Sequence, residues 1–114
     1  MLVKLKNERY KWTKHVREKM KFYHLSEGRI KRIIRHPKRI EEGIAPQTVA
    51  VMQPATTKKY QEIWVMYQLK NSQGKSKQGE PDIIIITAWR YPGKSPQGKP
   101  IPKEILEEVR QLVF

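Results

Sequence analysis

The segment "PDIIIITAWRY", residues 81–91, sets four consecutive isoleucines, then Thr87 and Ala88, before Trp89, Arg90 and Tyr91. A run this apolar belongs inside a protein. Read as an extended strand it is apolar on both sides, which predicts a central position in a sheet covered on two faces. Strict alternation places Ile83, Ile85, Thr87, Trp89 and Tyr91 on one side, and Ile84, Ile86, Ala88 and Arg90 on the other. Arg90 then stands at the end of an apolar row, where the strand leaves the core.

The segments before it alternate too. "EIWVMYQLK" (62–70) turns Ile63, Val65, Tyr67 and Leu69 one way and Trp64, Met66 and Gln68 the other. "RIEEG" (39–43) and "QTVAVMQ" (47–53) read as a short strand pair around Gly43. These segments predict a mostly antiparallel four-stranded sheet. "LVKLK" (2–6) also alternates, as a short edge strand would, and "NSQGKSKQGEP" (71–81) is a loop of turn residues.

Ahead of the strands the period is helical. Thr13 stands at an N-cap position before "KHVREKMKFY" (14–23), where Val16, Met20 and Tyr23 make an apolar stripe. Lys14, Arg17 and Lys21 line the opposite flank; His15, Lys19 and Phe22 line another margin. Ser26 caps a second helix, with Leu25 and Ile30 spaced as a hydrophobic staple. Its stripe is Ile30, Ile33 and Ile34, Lys31, Arg32 and Arg35 point outward, and His36-Pro37 ends it. The tight join between these helices predicts an αα-hairpin. After an extended Pro/Gly-rich connection over residues 92–102, a C-terminal helix is predicted over 103–113, with Ile105, Leu106, Val109, Leu112 and Val113 on its buried face. The order gives a single α+β domain over residues 1–114.

Charge points to the partner. The 114 residues hold 24 Lys+Arg and 11 Asp+Glu, a net +13. Residues 1–40 carry 14 Lys/Arg and 3 Glu (+11), residues 41–114 only 10 and 8 (+2). A basic half on a small domain suits a polyanion, because each neutralised phosphate releases counterions. A nucleic acid or ribonucleoprotein comes first, an acidic protein second, and a merely solvated surface third. No run is long enough to span a membrane, and "MLVKLKNERYKW" lacks the apolar core of a secretory signal. The expectation is a cytoplasmic protein with no membrane partner.

Several chemistries are excluded or disfavoured. Without cysteine there is no disulfide, thiolate zinc site or thiol nucleophile. The P-loop, HExxH and GxSxG patterns are missing. His15, His24 and His36 share no ligand spacing, and Asp82 is the only aspartate, so neither metal nor cofactor is expected. RNA allows cleavage without metal: a base takes the 2′-OH proton while cations stabilise the phosphorane. Arg90 suits the second role, being planar, permanently charged and bidentate; reaching water at a strand end is the plainer alternative. Trp89 and Tyr91 could stack on bases or pack under the last helix. His15 lies in a first helical turn, where the helix dipole favours a neutral base, or it caps and packs. His24 and His36 read as helix-end residues.

"TKHVREKMKFYHLSEGRIKRIIRHPKRIEEG" (13–43), followed by "IIIITAWRY" (83–91), resembles a family of small RelE-like domains, the BrnT-like toxins and their relatives. Thr13, His15, Leu25, Ser26, Pro37 and Gly43 carry the resemblance, which covers roughly residues 12–91. Tyr23 departs where the family often has arginine, and His24 where it often has glycine. The resemblance implies a RelE-like fold and a toxin-type, metal-independent endoribonuclease held in check by an antitoxin. It transfers only His15. Arg90 and Tyr91 rest on strand geometry, and Lys19 is a further candidate. Lys14, Arg17, Lys21, Lys31, Arg32 and Arg35 would grip the RNA. The alternatives are a non-catalytic nucleic-acid-binding module, or an interaction domain whose C-terminal helix is covered by a second chain, giving a homo-oligomer.

Overall fold

The computed structural model describes residues 10–44, 47–55, 57–70, 81–98 and 101–112. In chain order they form β1 (Tyr10–Trp12), α1 (Lys14–Tyr23), α2 (Glu27–Arg35), β2 (Arg39–Glu42), β3 (Thr48–Ala55), β4 (Gln61–Lys70), β5 (Asp82–Pro92) and α3 (Lys103–Arg110). One sheet runs β1-β5-β4-β3-β2. The pairs from β2 to β5 are antiparallel, and β1 is parallel to β5. The class is therefore α+β with a mostly antiparallel sheet. It has five strands among the described residues, against four expected, because Tyr10–Trp12 is too short to show a period. The strand expected at 2–6 lies outside the described residues, as do Val113 and loop residues 71–80.

Both helix starts follow from side-chain caps. Thr13 Oγ1 accepts from Val16 N at 3.0 Å, and Ser26 Oγ accepts from Arg29 N at 3.1 Å. Each satisfies an amide that the helix cannot, worth about 1 kcal/mol. Thr13 Oγ1 also lies 2.9 Å from Ile85 O and 3.1 Å from Ile86 O, docking the start of α1 on β5. α1 ends with His24 in the left-handed region (φ 59°), and Leu25 N returns to Met20 O at 2.8 Å. Such a turn normally favours glycine. Of the apolar positions expected on the last helix, Ile105 and Val109 are buried and Leu106 and Leu112 half-buried, but α3 stops at Arg110 rather than 113.

Two cores form, one on each face of the sheet. Val16, Met20, Leu25, Ile30 and Ile33 pack on Val51, Ile63, Val65, Ile85 and Ala88. On the other face Ile105 and Val109 pack on Met52, Trp64, Met66, Ile86 and Trp89. Trp64 and Trp89 stack there, 5.9 Å apart and 4° from parallel. Those two tryptophans are fully buried, so Trp89 is a core residue and not a base-stacking one.

Strict alternation fails in β5. Thr87 faces Met66 while Ile85 faces Tyr67, so Ile86 is an extra residue, a β-bulge. Beyond it the faces exchange. Ala88 joins Ile83 and Ile85 against α1 and α2, and Trp89 joins Ile86 under α3. Arg90, paired with Ile63, therefore faces the helical pair; without the bulge it would point toward α3. β5 is an interior strand with a core on each face, between β1 and β4. β4 is the middle strand, and β1 covers the outer edge of β5 only through Ile85, after which α1 lies along it.

The α3 face contains one buried acid. Glu62 is 1% exposed. Its carboxylate accepts from Trp64 Nε1 (3.0 Å), Ser95 Oγ (2.5 Å), Ser95 N (3.3 Å) and Tyr60 Oη (3.2 Å). Burial alone would raise its pKa; the hydrogen bonds from Ser95, Trp64 and Tyr60 outweigh that and hold it below the usual carboxylate range. Arg39 completes the group, bonding Ser95 and Glu41 and lying 3.6 Å from Glu62. This network fastens the connection after β5 to the sheet.

Candidate nucleic-acid interface

The outer surface of α1 and α2 is cationic. Lys14, Arg17, Lys21, Arg32 and Arg35 are exposed and Lys31 is half-buried. Arg17 Nη1 meets Glu27 Oε2 at 2.5 Å, pinning one helix to the other, and its guanidinium lies 5.0 Å from the Trp12 ring. Lys31 Nζ lies 5.2 Å from the Tyr10 ring. Lys14 and Lys21, with Arg17, Glu18 and Phe22, line a depression of about 480 Å³. Phe22 is 70% exposed, the most exposed large apolar side chain among the described residues. An aromatic ring set among cations is the arrangement that stacks a base while its backbone is held electrostatically.

The four residues expected to share a catalytic site separate. His15 and Lys19 lie together in a groove of about 520 Å³ between α1 and α3, also lined by Glu18, Phe22, Glu108 and Gln111. His15 Nε2 is 3.1 Å from Thr87 Oγ1 and 3.7 Å from Glu108 Oε1; Lys19 Nζ is 2.8 Å from Glu108 Oε1. Burial lowers the His15 pKa, against the opposing pull of Glu108, so its neutral form is favoured. Arg90 lies at the other end of α1, where its Nε donates to Tyr23 O at 2.9 Å. Eight residues of helix separate His15 from Tyr23, about 12 Å. Tyr91 faces the opposite side of the sheet from Arg90, paired with Glu62 and packed in the α3 core. No one phosphate can touch all four. His24 and His36 cap the C-terminal ends of α1 and α2, as the sequence suggested.

Arg90 has different company from that expected. Arg29, one residue before the Ile30 stripe, lies on the same side and donates from Nη2 to Pro54 O at 3.2 Å. Arg29 was not singled out in the sequence, although its i,i+3 spacing to Arg32, with no acid three or four positions away, was available as a signal. Glu108, Arg39 and Glu62 were also missed. Their roles depend on strands and a helix far apart in sequence.

No family model, curated protein or solved structure matches the chain. Among the described residues no helix is long and apolar enough to cross a membrane, and no group of three or more His, Asp or Glu side chains could hold a metal.

Proposed function

We propose that the protein is an RNA-binding domain of RelE-like type that holds a single strand across the surface of α1 and α2. One observation carries this reading: Lys14, Lys21, Arg29, Arg32 and Arg90 share this side of the molecule, and none has a carboxylate partner among the described residues. Unpaired cations at this density repel one another, and a polyanion removes that cost. The sequence resemblance narrows the polyanion to RNA, and exposed Phe22 favours an unpaired strand, whose bases can stack. The test is fluorescence anisotropy with a labelled single-stranded RNA over a salt series. Binding that weakens steeply with salt, and weakens again in Lys14→Ala/Lys21→Ala and in Phe22→Ala, is the expected result. Salt-insensitive binding, or none, rejects the reading.

Toxin-type RNA cleavage is a second reading, favoured by the neutral His15 beside the Lys19 ammonium in an open groove. His15 would take the 2′-OH proton as the 2′-oxygen bonds to phosphorus, Lys19, released from Glu108, would face the phosphorane, and water would protonate the 5′-oxygen as its bond to phosphorus breaks. Arg90 and Tyr91 stand too far away to join them. Mapping 5′-OH ends on mRNA with chelator present, with and without ribosomes, tests it: cleavage lost in His15→Ala supports this reading, and cleavage unchanged in that variant removes it. An acidic antitoxin would cover the same cationic surface.

A further inference from the structure

The face of the sheet under α2 ends in a cross-strand row of Gln53, Ile63 and Arg90 on β3, β4 and β5. Each polar end of that row is tied to a helix. Gln53 Nε2 donates to Arg32 O (3.3 Å) and His36 O (2.9 Å), fixing the last turn of α2. Arg90 Nε donates to Tyr23 O, fixing the last turn of α1. From there the Arg90 guanidinium runs toward Gln61, its Nη1 3.4 Å from Gln61 Oε1. Arg29 comes down from α2 onto Pro54 O. Gln61 pairs with Ala55, the residue after Pro54, so two guanidinium groups from different elements meet over one Ala55–Gln61 rung. Arg32 is one helical turn from Arg29, on the same side of α2 and exposed.

Three features of this corner are unlike a structural tie. First, its protein partners are all neutral oxygens: two backbone carbonyls and one weakly placed amide. Second, Arg29 Nε is buried and has no hydrogen-bond partner. A buried donor left unpaired is costly and calls for a ligand or another explanation. Third, the groups repel: the Arg29 pKa is pushed down by burial first, and then by Arg32 and Arg90. A guanidinium stays charged regardless, so the repulsion is held in the fold.

We propose that Arg29, Arg32 and Arg90 form a pocket for one backbone phosphate of a bound RNA strand, an inference that rests on the RNA reading above. The two half-buried guanidinium groups supply planar, directional donors, and Arg32 closes the solvent side. A phosphate here would accept from Arg29 Nε and from Arg90 Nη2, which neither Tyr23 nor Gln61 engages. It would fix the register of a strand whose other phosphates meet the exposed lysines Lys14 and Lys21 of α1.

Nitrogen-15 NMR of the arginine Nε–Hε groups tests this directly, with sodium pyrophosphate as the probe and sodium chloride at matched ionic strength as the control. The Arg29 and Arg90 signals are expected to shift and saturate with pyrophosphate, while Arg110 follows ionic strength alone. A short oligouridylate is expected to move the same two signals and to displace pyrophosphate. Arg32→Ala changes an exposed position and keeps the fold; it is expected to weaken pyrophosphate binding roughly tenfold. If Arg29 and Arg90 behave like Arg110, the pocket does not exist. If the RNA still binds by fluorescence anisotropy but leaves the Arg29 and Arg90 signals in place, the pocket is rejected as an RNA subsite while the RNA reading stands. If the RNA neither binds nor moves a signal, both fall.

Discussion

Arg39 and Arg90 occupy comparable places, each partly buried on a strand of the same sheet, on opposite faces. Arg39 is enclosed by partners: Ser95 Oγ at 2.9 Å, Glu41 Oε2 at 3.0 Å, Pro96 O at 3.2 Å, Glu62 at 3.6 Å, and the Trp64 ring 5.0 Å below. Arg90 has one carbonyl, one distant amide and the positive charge of Arg29 nearby. A cation that serves the fold comes with its acid. One left without an acid, in a corner that already repels it, is free to serve a ligand. The α3 face is thus a stability network, and the α1–α2 face is the one with unspent charge.

The largest expected effect breaks the first half of that contrast. Glu62→Leu strips partners from Trp64 Nε1, Ser95 and Arg39 at once, and should cost about 3–5 kcal/mol in chemical denaturation, the usual penalty for orphaning a buried charge. Arg90→Gln loses the Tyr23 bond and the long Gln61 contact, with no acid left behind, and should cost about 1 kcal/mol. Equal losses in the two variants would erase the distinction between the faces.

RNA affinity sharpens the second half. Lys14→Glu/Lys21→Glu should weaken single-strand binding by about tenfold or more, and should flatten its dependence on log salt by roughly 0.7 for each phosphate contact removed. The same double substitution should leave stability within about 0.5 kcal/mol, since both side chains are exposed.

The two helix starts and the turn between the helices come next. Ser26→Ala should cost about 1 kcal/mol of thermal stability. His24→Gly should gain about 1 kcal/mol, because His24 is held in a left-handed conformation that glycine adopts without strain. No gain would mean that the His24 side chain makes a compensating contact.

A pH effect is smallest. His15 faces Glu108, Lys19, Glu18 and Thr87, and burial lowers its folded pKa below the unfolded value near 6.5. The unfolded chain then binds more protons, so this contribution to stability is present above about pH 6.5 and is lost as pH falls toward the lowered folded value. His15→Gln should flatten the stability profile in that window, as read by denaturation at a series of pH values.

The sequence exposed some of this and hid the rest for physical reasons. α1 and α2 were legible to the residue because Thr13, Ser26 and His36-Pro37 mark their ends with local chemistry. Four identical isoleucines carry no polar marker, so a bulge at Ile86 leaves no trace, yet it decides which face receives Arg90. Tyr10–Trp12 is held by pairing with Ile83, Ile84 and Ile85, more than 70 positions away, and shows no period of its own. Glu62 reads as the polar start of a strand until Ser95 and Arg39 close over it. The Lys14, Arg17 and Lys21 flank needed only helical spacing; the meeting of Arg29 with Arg90 needed the tertiary fold.

The most direct test compares the salt dependence of single-stranded RNA binding by the native chain and by a folded Arg29→Ala/Arg32→Ala/Arg90→Ala variant. Log affinity should fall linearly with log salt in both, with a slope shallower by about 0.7 in the variant, the signature of one lost phosphate contact on a single strand. Identical slopes and affinities would contradict the claim that the uncompensated arginines of this face bind the RNA backbone.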